Sequence, residues 1–195
     1  MADLILGSTT AISESGGTIA LGTGVTMANA TFPAGHVVAV YNDTHSEQQT
    51  GSGSIHTWYD SSLIITLTPV SVNSKFVIQG QWNQHCASNG SAMKIVRAGA
   101  IEPDTGSTLI GDKWGSTRQR AGIAYSYQGF DANQRNPIAY CVYDDPNTAS
   151  SITYKLQYMH EAGTYYINRS EGAPDAYYSY ATVEVSTMTI FEISS

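Results

Sequence analysis

The sequence is poor in charged residues and in the residue types that build helices. Only 13% of its 195 residues are Asp, Glu, Lys or Arg, about half the share of a typical soluble domain. Lys, Arg and Glu also favour exposed helices, so their scarcity argues against a helical protein. Acids outnumber bases and the formal charge is −7, which leaves no basic field for a phosphate backbone. We therefore expect no nucleic-acid partner.

Long apolar segments and a cysteine framework are missing as well. No apolar run approaches the roughly 18 residues that cross a bilayer, so we expect no membrane insertion. The first residues, 1–7, lack a basic region and hold one short apolar stretch, so we expect no signal peptide and assembly in the cytoplasm. Cys86 and Cys141 are too few for a disulfide framework, and we expect both to be free and buried.

The residues that are abundant favour β-structure. Thr, Tyr, Val and Ile suit a pleated, half-buried surface, and Ser and Thr together supply about a fifth of the chain. Short apolar or alternating runs are separated by Gly, Pro, Asn and Asp clusters, which predicts strands joined by turns. The expected strands cover 36–41, 62–68, 75–82, 92–98, 121–127, 138–143, 152–159, 164–168 and 181–193. Residues 42–54 are expected to form a polar loop.

This spacing predicts an all-β protein, specifically an antiparallel β-sandwich of the eight-stranded jelly-roll type spanning 32–195. Residues 1–31 differ in composition, because they contain no aromatic side chain and no Lys or Arg. They include two β-prone pieces, 10–13 and 18–21, yet they bury too little apolar area to offset the entropy of ordering them alone. We expect an extended N-terminal arm that docks into an assembly.

Motifs for catalysis or metal binding are not found. The five histidines lack the short spacing that brings two ligands to one metal ion. Asp144 and Asp145 precede Pro146, a context that favours a turn over paired catalytic carboxylates. Neither a nucleophile elbow nor a phosphate-binding glycine loop occurs. We expect no metal, no cofactor and no enzymatic activity.

Aromatic residues offer the candidate binding sites. Strand aromatics such as Trp82, Tyr140 and Tyr154 are expected to pack in the core. Two loop clusters differ, because an aromatic ring beside polar donors is a common contact for a saccharide or a protein. The candidate ligand-binding residues in these clusters are Trp114, Arg118, Arg120, Tyr177 and Tyr178.

Several short segments carry a family resemblance. They are Phe32-Pro-Ala-Gly-His36, Ile65-Thr-Leu-Thr-Pro69, Ser74-Lys75, Tyr154-Lys-Leu-Gln-Tyr158, Ile167-Asn-Arg-Ser-Glu171 and Ser186-Thr-Met-Thr-Ile-Phe-Glu-Ile193. Together they resemble the jelly-roll-like domain of tail-fibre and related virion structural proteins of aquatic tailed bacteriophages. The resemblance spans roughly 32–193, and the arm at 8–24 looks like the low-complexity lead-in of those proteins. It implies a trimeric surface module and supplies no fixed functional residues.

The leading interpretation is a bacteriophage virion protein, a homotrimer that acts as a small tail fibre or fibre tip in host attachment. Its expected partners are its own copies, other virion proteins through the arm, and a host-surface glycan or protein. A capsid decoration protein that stabilises the head shell, favoured by the shortness of the chain, is the second interpretation. A stand-alone carbohydrate-binding module is the third, and a glycan-cleaving enzyme using Asp112 and Asp131 is the weakest.

Overall fold

A computed structural model describes the protein. It describes residues 33–55, 57–86, 90–97, 137–161, 164–169 and 184–195 with their side chains, and the backbone of 4–6, 9–15, 18–21, 98 and 124–126. Strands, turns and bends make up these residues, and no helix occurs among them. The chain divides into two compact units, Met1–Phe32 and Pro33–Ser195, and each is described on its own.

The first unit contains the residues predicted as the N-terminal arm. Its backbone forms a three-stranded antiparallel sheet of β1 (Leu4–Leu6), β2 (Thr9–Ser15) and β3 (Thr18–Leu21). Both β-prone pieces noted in the sequence lie in these strands. In each hairpin the register leaves two residues between the paired strand ends, and the sequence has Gly7-Ser8 and Gly16-Gly17 there, a composition that favours short hairpin connections.

The second unit is an antiparallel β-sandwich, as the composition and strand spacing predict. Its strands are β4 (Val37–His45), β5 (Gln49–Ser52), β6 (Tyr59–Leu67), β7 (Lys75–Cys86), β8 (Ser91–Ala98), β9 (Ala124–Ser126), β10 (Pro137–Asp144), β11 (Ile152–His160), β12 (Thr164–Ile167) and β13 (Ser186–Ile193). Sheet I joins them in the order β4-β13-β7-β12-β5, with β10 on the other edge of β7, and sheet II in the order β6-β11-β8-β9.

The ten strands described in this unit occupy eight lateral positions. Along one edge of β7, residues 75–81 pair with β13 and residues 84–86 pair with β12. In the same way β4 pairs with β13 and β5 with β12, so β5 and β12 continue the lines of β4 and β13. With each line counted once, the chain order of positions is 1-8-3-6 in sheet I and 2-7-4-5 in sheet II. This arrangement is jelly-roll-like.

The core lies between the two sheets because the strands alternate. Strands β6, β10 and β11 each place every second residue in the interior, which is the period-two pattern of a sheet with one buried face. Aromatic side chains meet across the interior: the ring centroids of Phe76 and Tyr154 lie 5.8 Å apart, and those of Trp82 and Tyr158 lie 5.5 Å apart. The core predicted for Trp82, Tyr140 and Tyr154 is confirmed.

The alternation in β7 is broken at Gly80, and the structure explains why. Gly80 occupies an inward position, and a Cβ atom there would collide with the Thr187 carbonyl and the Tyr140 hydroxyl. The missing side chain lets Tyr140 on β10 reach past β7 and donate a hydrogen bond of 2.8 Å to the Thr187 carbonyl on β13. One tyrosine therefore ties together three neighbouring strands.

The prediction of a polar loop over 42–54 is wrong for most of that segment. Strand β4 continues to His45, and Gln49–Ser52 forms β5. These residues are polar because alternate positions of an edge strand face outward. Their pairing partners, in β12 and β13, come more than a hundred residues later, so local sequence carries no sign of the pairing.

Asn168 directly follows the last residue of β12, in the segment that separates β12 from β13. Its side chain is fully buried, and its backbone adopts a left-handed conformation with φ of 56°. Asparagine tolerates this conformation better than other residues that carry a Cβ. The backbone N–H of Asn168 donates to the Asn83 carbonyl at 3.0 Å, and its own carbonyl accepts from the Glu184 N–H at 3.2 Å.

The side chain of Asn168 makes three further hydrogen bonds. Its amide nitrogen donates to the carbonyls of His45 at 2.8 Å and Glu47 at 3.0 Å, at the point where β4 gives way to β5. Its amide oxygen accepts from the Ser186 hydroxyl at 2.7 Å, and that hydroxyl in turn accepts from the Asn83 N–H at 3.0 Å. Asn168 therefore uses its donors and acceptors to join all three lines of strands that meet at the junction.

We predict that Asn168→Ala destabilises the protein by about 3 kcal/mol, because it leaves a buried carbonyl, a part-buried carbonyl and a buried hydroxyl without their partner. Asn147→Ala is the matched control: Asn147 is also left-handed, with φ of 49°, but it is exposed. That change is expected to cost about 1 kcal/mol, from backbone conformation alone. Urea unfolding followed by tryptophan fluorescence measures both, and equal losses would contradict the role given to Asn168.

Candidate functional site

The five candidate ligand-binding residues lie outside the described residues. Trp114, Arg118 and Arg120 belong to the segment 101–123, and Tyr177 and Tyr178 belong to 170–183. Their role in binding stays a prediction. The candidate sites that follow are built from the residues that the structure describes.

The densest group of aromatic rings lies at one end of the sandwich interior. The His160 ring stacks on Tyr59 at 5.5 Å between centroids and lies 4.8 Å from the Tyr165 ring. The ring centroid of Tyr158 lies 5.4 Å from that of Tyr165 and 5.8 Å from that of Tyr59. Tyr158 also stacks on Trp82, which extends the group of rings to β7. Strands β6, β7, β11 and β12 each contribute a ring, so the group packs both sheets together.

The tyrosine hydroxyls and the indole N–H of this aromatic group are engaged within the protein. The hydroxyl groups of Tyr158 and Tyr165 lie 3.2 Å apart, and Tyr59 accepts from the Ser54 N–H at 2.8 Å. The indole N–H of Trp82 donates to the Gln84 side chain at 3.0 Å. An aromatic sugar site presents a ring face to the ligand, whereas Tyr158 and Trp82 are buried. The group is therefore a packing element.

An ion pair between Arg97 and the buried Asp144 links the two sheets at the C-terminal end of β10. Arg97 on β8 contacts both carboxylate oxygens of Asp144, at 2.9 and 3.2 Å, and the Tyr154 hydroxyl donates to the same carboxylate at 2.7 Å. Burial, followed by the hydrogen bond to Asp144, raises the pKa of Tyr154 far above its usual value. The carboxylate is satisfied by a charge and a hydroxyl from the opposite sheet, as a buried charge requires.

Asp144 and Asp145 have different environments. The turn predicted for 144–147 is not seen, because β10 continues through Asp144 and residues 145–148 form an irregular connection in which Asn147 is left-handed. Asp144 itself is the last residue of the strand and is buried, whereas Asp145 is exposed. Sequence reasoning missed the structural role of Asp144 because its partners, Arg97 and Tyr154, lie on other strands.

Two further acids hold backbone groups at the seam between the sheets. Glu192 is fully buried on β13, where it accepts from the Val70 N–H and from the Tyr41 hydroxyl at 3.1 Å. Burial and the nearby Glu192 charge raise the pKa of Tyr41. Asp43 on β4 accepts from the Ile64 N–H of β6 at 2.9 Å, which satisfies a donor on the edge strand of sheet II.

The cysteines and histidines do not form a site in the described part of the chain. Neither cysteine forms a disulfide, as predicted, but only Cys86 is buried, and the prediction that Cys141 is buried is wrong. Cys141 holds an outward position on β10, opposite Gln79 of β7. Among the described residues no three His, Cys, Asp or Glu side chains converge on a possible metal position.

The two outer faces of the sandwich differ in charge. On sheet II, Asp60 of β6 accepts from Lys155 at 2.9 Å and from Gln157 at 2.7 Å, both on β11. Burial acts to raise the pKa of Asp60, but the hydrogen bonds from Gln157 and Lys155 outweigh it, and the pKa is lowered. Lys94 on β8 places its ammonium 4.4 Å from the centre of the Trp58 ring. Sheet II thus presents a network of charged and polar side chains.

The outer face of sheet I is uncharged over three rows of four residues. One row is Thr44, Thr187, Gln81 and Ala139; the next is Asn42, Thr189, Gln79 and Cys141; the third is Val40, Phe191, Val77 and Tyr143. We call these twelve residues the neutral face. Alternation in β10 and β13 shows in the sequence which of their residues face outward. The pairing of the strands is needed to show that these residues form one uncharged surface.

Comparisons with known proteins give a similarity of fold and no family. No protein-family model matches the chain, and no curated protein matches it by sequence. Among solved structures, it is similar to a chain of infectious bursal disease virus Gt strain, with a TM-score of 0.40 and 12% identity over 95% of this chain and 42% of that chain. The chain is also similar to a chain of the virus-derived T=1 particles, with a TM-score of 0.40 and 14% identity over 95% of this chain and 40% of that chain.

The VP2 subviral particle of the same virus gives a TM-score of 0.36 and 14% identity over 80% of this chain and 38% of that chain. The protein thus spans less than half the length of these viral chains. The fold assignment rests on strand order and register, and not on this similarity. The described residues contain no helix with the length and hydrophobicity that a membrane crossing requires.

We predict that the buried tyrosines make the protein sensitive to alkaline pH. Burial raises the pKa of Tyr140, Tyr154 and Tyr158 above the usual value near 10.0. Above about pH 10 the unfolded chain loses these protons while the folded protein keeps them, so the free energy of unfolding falls as pH rises. Each tyrosine contributes up to about 1.4 kcal/mol per pH unit, and stability is fully present below pH 10.

Urea unfolding between about pH 8 and pH 11 measures this slope. Tyr158→Phe keeps the buried ring and removes the ionisable group, so its stability should fall less steeply than that of the wild type. Tyr143→Phe, which alters an exposed tyrosine of β10, is the matched control and should follow the wild type. A Tyr158→Phe variant with the wild-type slope would contradict the assignment.

Proposed function

We propose that the protein is a structural component of a bacteriophage virion, a surface-exposed homotrimer that acts as a small tail fibre or fibre tip in host attachment. The observation that carries the proposal is where the resembling segments lie in the fold. The most specific of them, 186–193, coincides with β13, which pairs with β4 on one side and β7 on the other. Another, 154–158, lies within β11 at the middle of sheet II.

The junction residue adds to this support. Asn168 and Ile167 belong to the segment 167–171 of the resemblance, and Asn168 joins the three strand lines of sheet I. Three of the six segments that resemble virion proteins, 154–158, 167–171 and 186–193, therefore supply central strands of the jelly roll or its junction residue. A shared architecture is the kind of similarity expected from a common structural role.

The chemistry of the surface favours permanent assembly. Long charged side chains lose much rotamer freedom when they are packed, whereas Ser, Thr, Val and Tyr lose less. A chain with 13% charged residues therefore pays a small entropic cost when identical subunits pack together.

The interior acids support a structural role over a catalytic one. Asp144 is engaged by Arg97 and Tyr154, and Glu192 by Val70 and Tyr41. Catalytic carboxylates need access to a substrate, and these two are buried within the sandwich. The residues 1–31 are proposed to contact another virion protein by adding strands to an unpaired sheet edge.

The mass in solution tests the oligomer. A homotrimer is expected at three times the 20.9 kDa mass of the chain when the full-length protein is measured by native mass spectrometry at micromolar concentration. A monomer under these conditions would overturn the homotrimer.

The position on the particle tests the role. Gold-labelled antibodies against this chain should bind the tail tips of purified virions in electron micrographs. Label on the head shell would replace the fibre with the capsid decoration alternative. Absence from the virion, together with glycan binding that Trp114→Ala or Tyr177→Ala abolishes, would replace both with the carbohydrate-binding module.

A further inference from the structure

The neutral face is the outer surface of sheet I, made of the outward residues of β4, β13, β7 and β10. Its third row is apolar from edge to edge: Val40 pairs with Phe191, Phe191 with Val77, and Val77 with Tyr143. Val40 is 56% exposed and Tyr143 is 55% exposed. An apolar row that crosses four strands is a surface that a soluble protein normally covers.

The next row on the same face contains Val37, Ile193 and Lys75. Val37 is 53% exposed, so the apolar surface continues over Val37 and Ile193 and ends at the charged side chain of Lys75. The other two rows are polar, but their side chains are amides, hydroxyls, a methyl and a thiol. Their hydrogen bonding is partly internal, as in the bond of 2.9 Å from the Asn42 amide to the Thr189 hydroxyl.

Charge indicates what covers this face. The chain carries 16 acids against 9 bases, so two copies repel each other wherever their charged surfaces meet. None of the twelve residues of the neutral face is charged, whereas the outer face of sheet II carries the ion pair of Asp60 and Lys155. A basic or acidic partner would find no complementary charge on the neutral face, but a second copy of this chain meets a surface that does not repel it.

We propose that the neutral face is the subunit interface, where each copy of the chain packs against neighbouring copies of itself. The inference rests on the proposed homotrimer and names the surface that builds it. The apolar row supplies the core of the contact, and the amides and hydroxyls of the other two rows supply its hydrogen-bonding rim, which is the anatomy of a stable interface.

The area of the neutral face is large enough to form part of a subunit interface. Strands lie about 4.8 Å apart, and same-face residues about 6.8 Å apart along a strand, so twelve residues cover roughly 400 Å². A standard interface buries about 800 Å² on each partner. The neutral face therefore accounts for about half of such a contact.

The first test introduces like charges into the face. Val40→Glu combined with Tyr143→Glu places two carboxylates at exposed positions of the apolar row, where neighbouring copies would bring them together. We expect the dissociation constant of the oligomer to rise at least a hundredfold, measured by sedimentation equilibrium of the full-length protein. Ile64→Glu is the matched control, since Ile64 is also an exposed apolar strand residue, 43% exposed, on the outer face of sheet II. It should leave the dissociation constant unchanged.

The second test uses a native cysteine of the face as a probe. Cys141 lies in the middle row and is exposed in the single chain, while Cys86 is buried. A maleimide should modify Cys141 at least tenfold more slowly in the assembled protein than in protein diluted below the dissociation constant. In the Val40→Glu, Tyr143→Glu variant, whose copies should stay apart at both concentrations, Cys141 should react at the fast rate at both.

The outcomes separate this inference from the proposed function. A stable oligomer in which Cys141 reacts at the fast rate, or in which the double variant assembles like the wild type, would overturn the interface and leave the homotrimer standing. A wild-type protein that stays monomeric at all concentrations would overturn both. An oligomer that protects Cys141 but is absent from virions would support the interface and refute the virion role.

Discussion

The jelly roll depends on the hydrogen bonds of one buried asparagine. Strand β7 is longer than its neighbours and changes partner along one edge, from β13 to β12. Such a change leaves backbone groups without ladder partners, and buried groups in that state are costly. Asn168 bonds the Asn83 carbonyl directly and reaches the Asn83 N–H through Ser186, and it also holds the two carbonyls where β4 passes to β5. Eight strand positions are thereby built from ten strands.

Charge is distributed unevenly in this protein. The buried acids stabilise the fold, whereas the surface proposed for assembly is uncharged. Acids in the interior bond to named partners: Asp144 joins the two sheets through Arg97, and Glu192 holds a turn and a tyrosine of β4. Exposed charges gather on sheet II around Asp60. The neutral face of sheet I is left with amides, hydroxyls, a thiol and apolar side chains. A strongly acidic chain can associate with itself through such a face, and this links the fold to the proposed virion role.

The sequence predicts the strands well where alternation is local. Strand β7 begins at Lys75 as expected, and the predicted segments 138–143 and 152–159 lie within β10 and β11. Prediction from the sequence fails where the structure of a segment depends on a partner that is distant in the chain. The polar segment 42–54 becomes strand because β12 and β13 pair with it. Asp144 is buried because Arg97 neutralises it. Asn168 is visible in the sequence only as a member of the resembling segment 167–171, which does not reveal its hydrogen bonds, and Cys141 faces outward because of register, which composition does not reveal.

The central claim is that this chain is built for assembly, and the first unit provides the most direct test. Residues 1–32 hold a three-stranded sheet of short strands, and because residues 1–31 contain no aromatic side chain, a single sheet of this size is marginal without a surface to pack on. Amide hydrogen exchange of the full-length protein, measured at concentrations above and below the dissociation constant of the oligomer, follows the strands β1 to β3. The account predicts slow exchange in the assembled protein and fast exchange after dilution to single copies. Equally slow exchange in dilute, single-copy protein would contradict it.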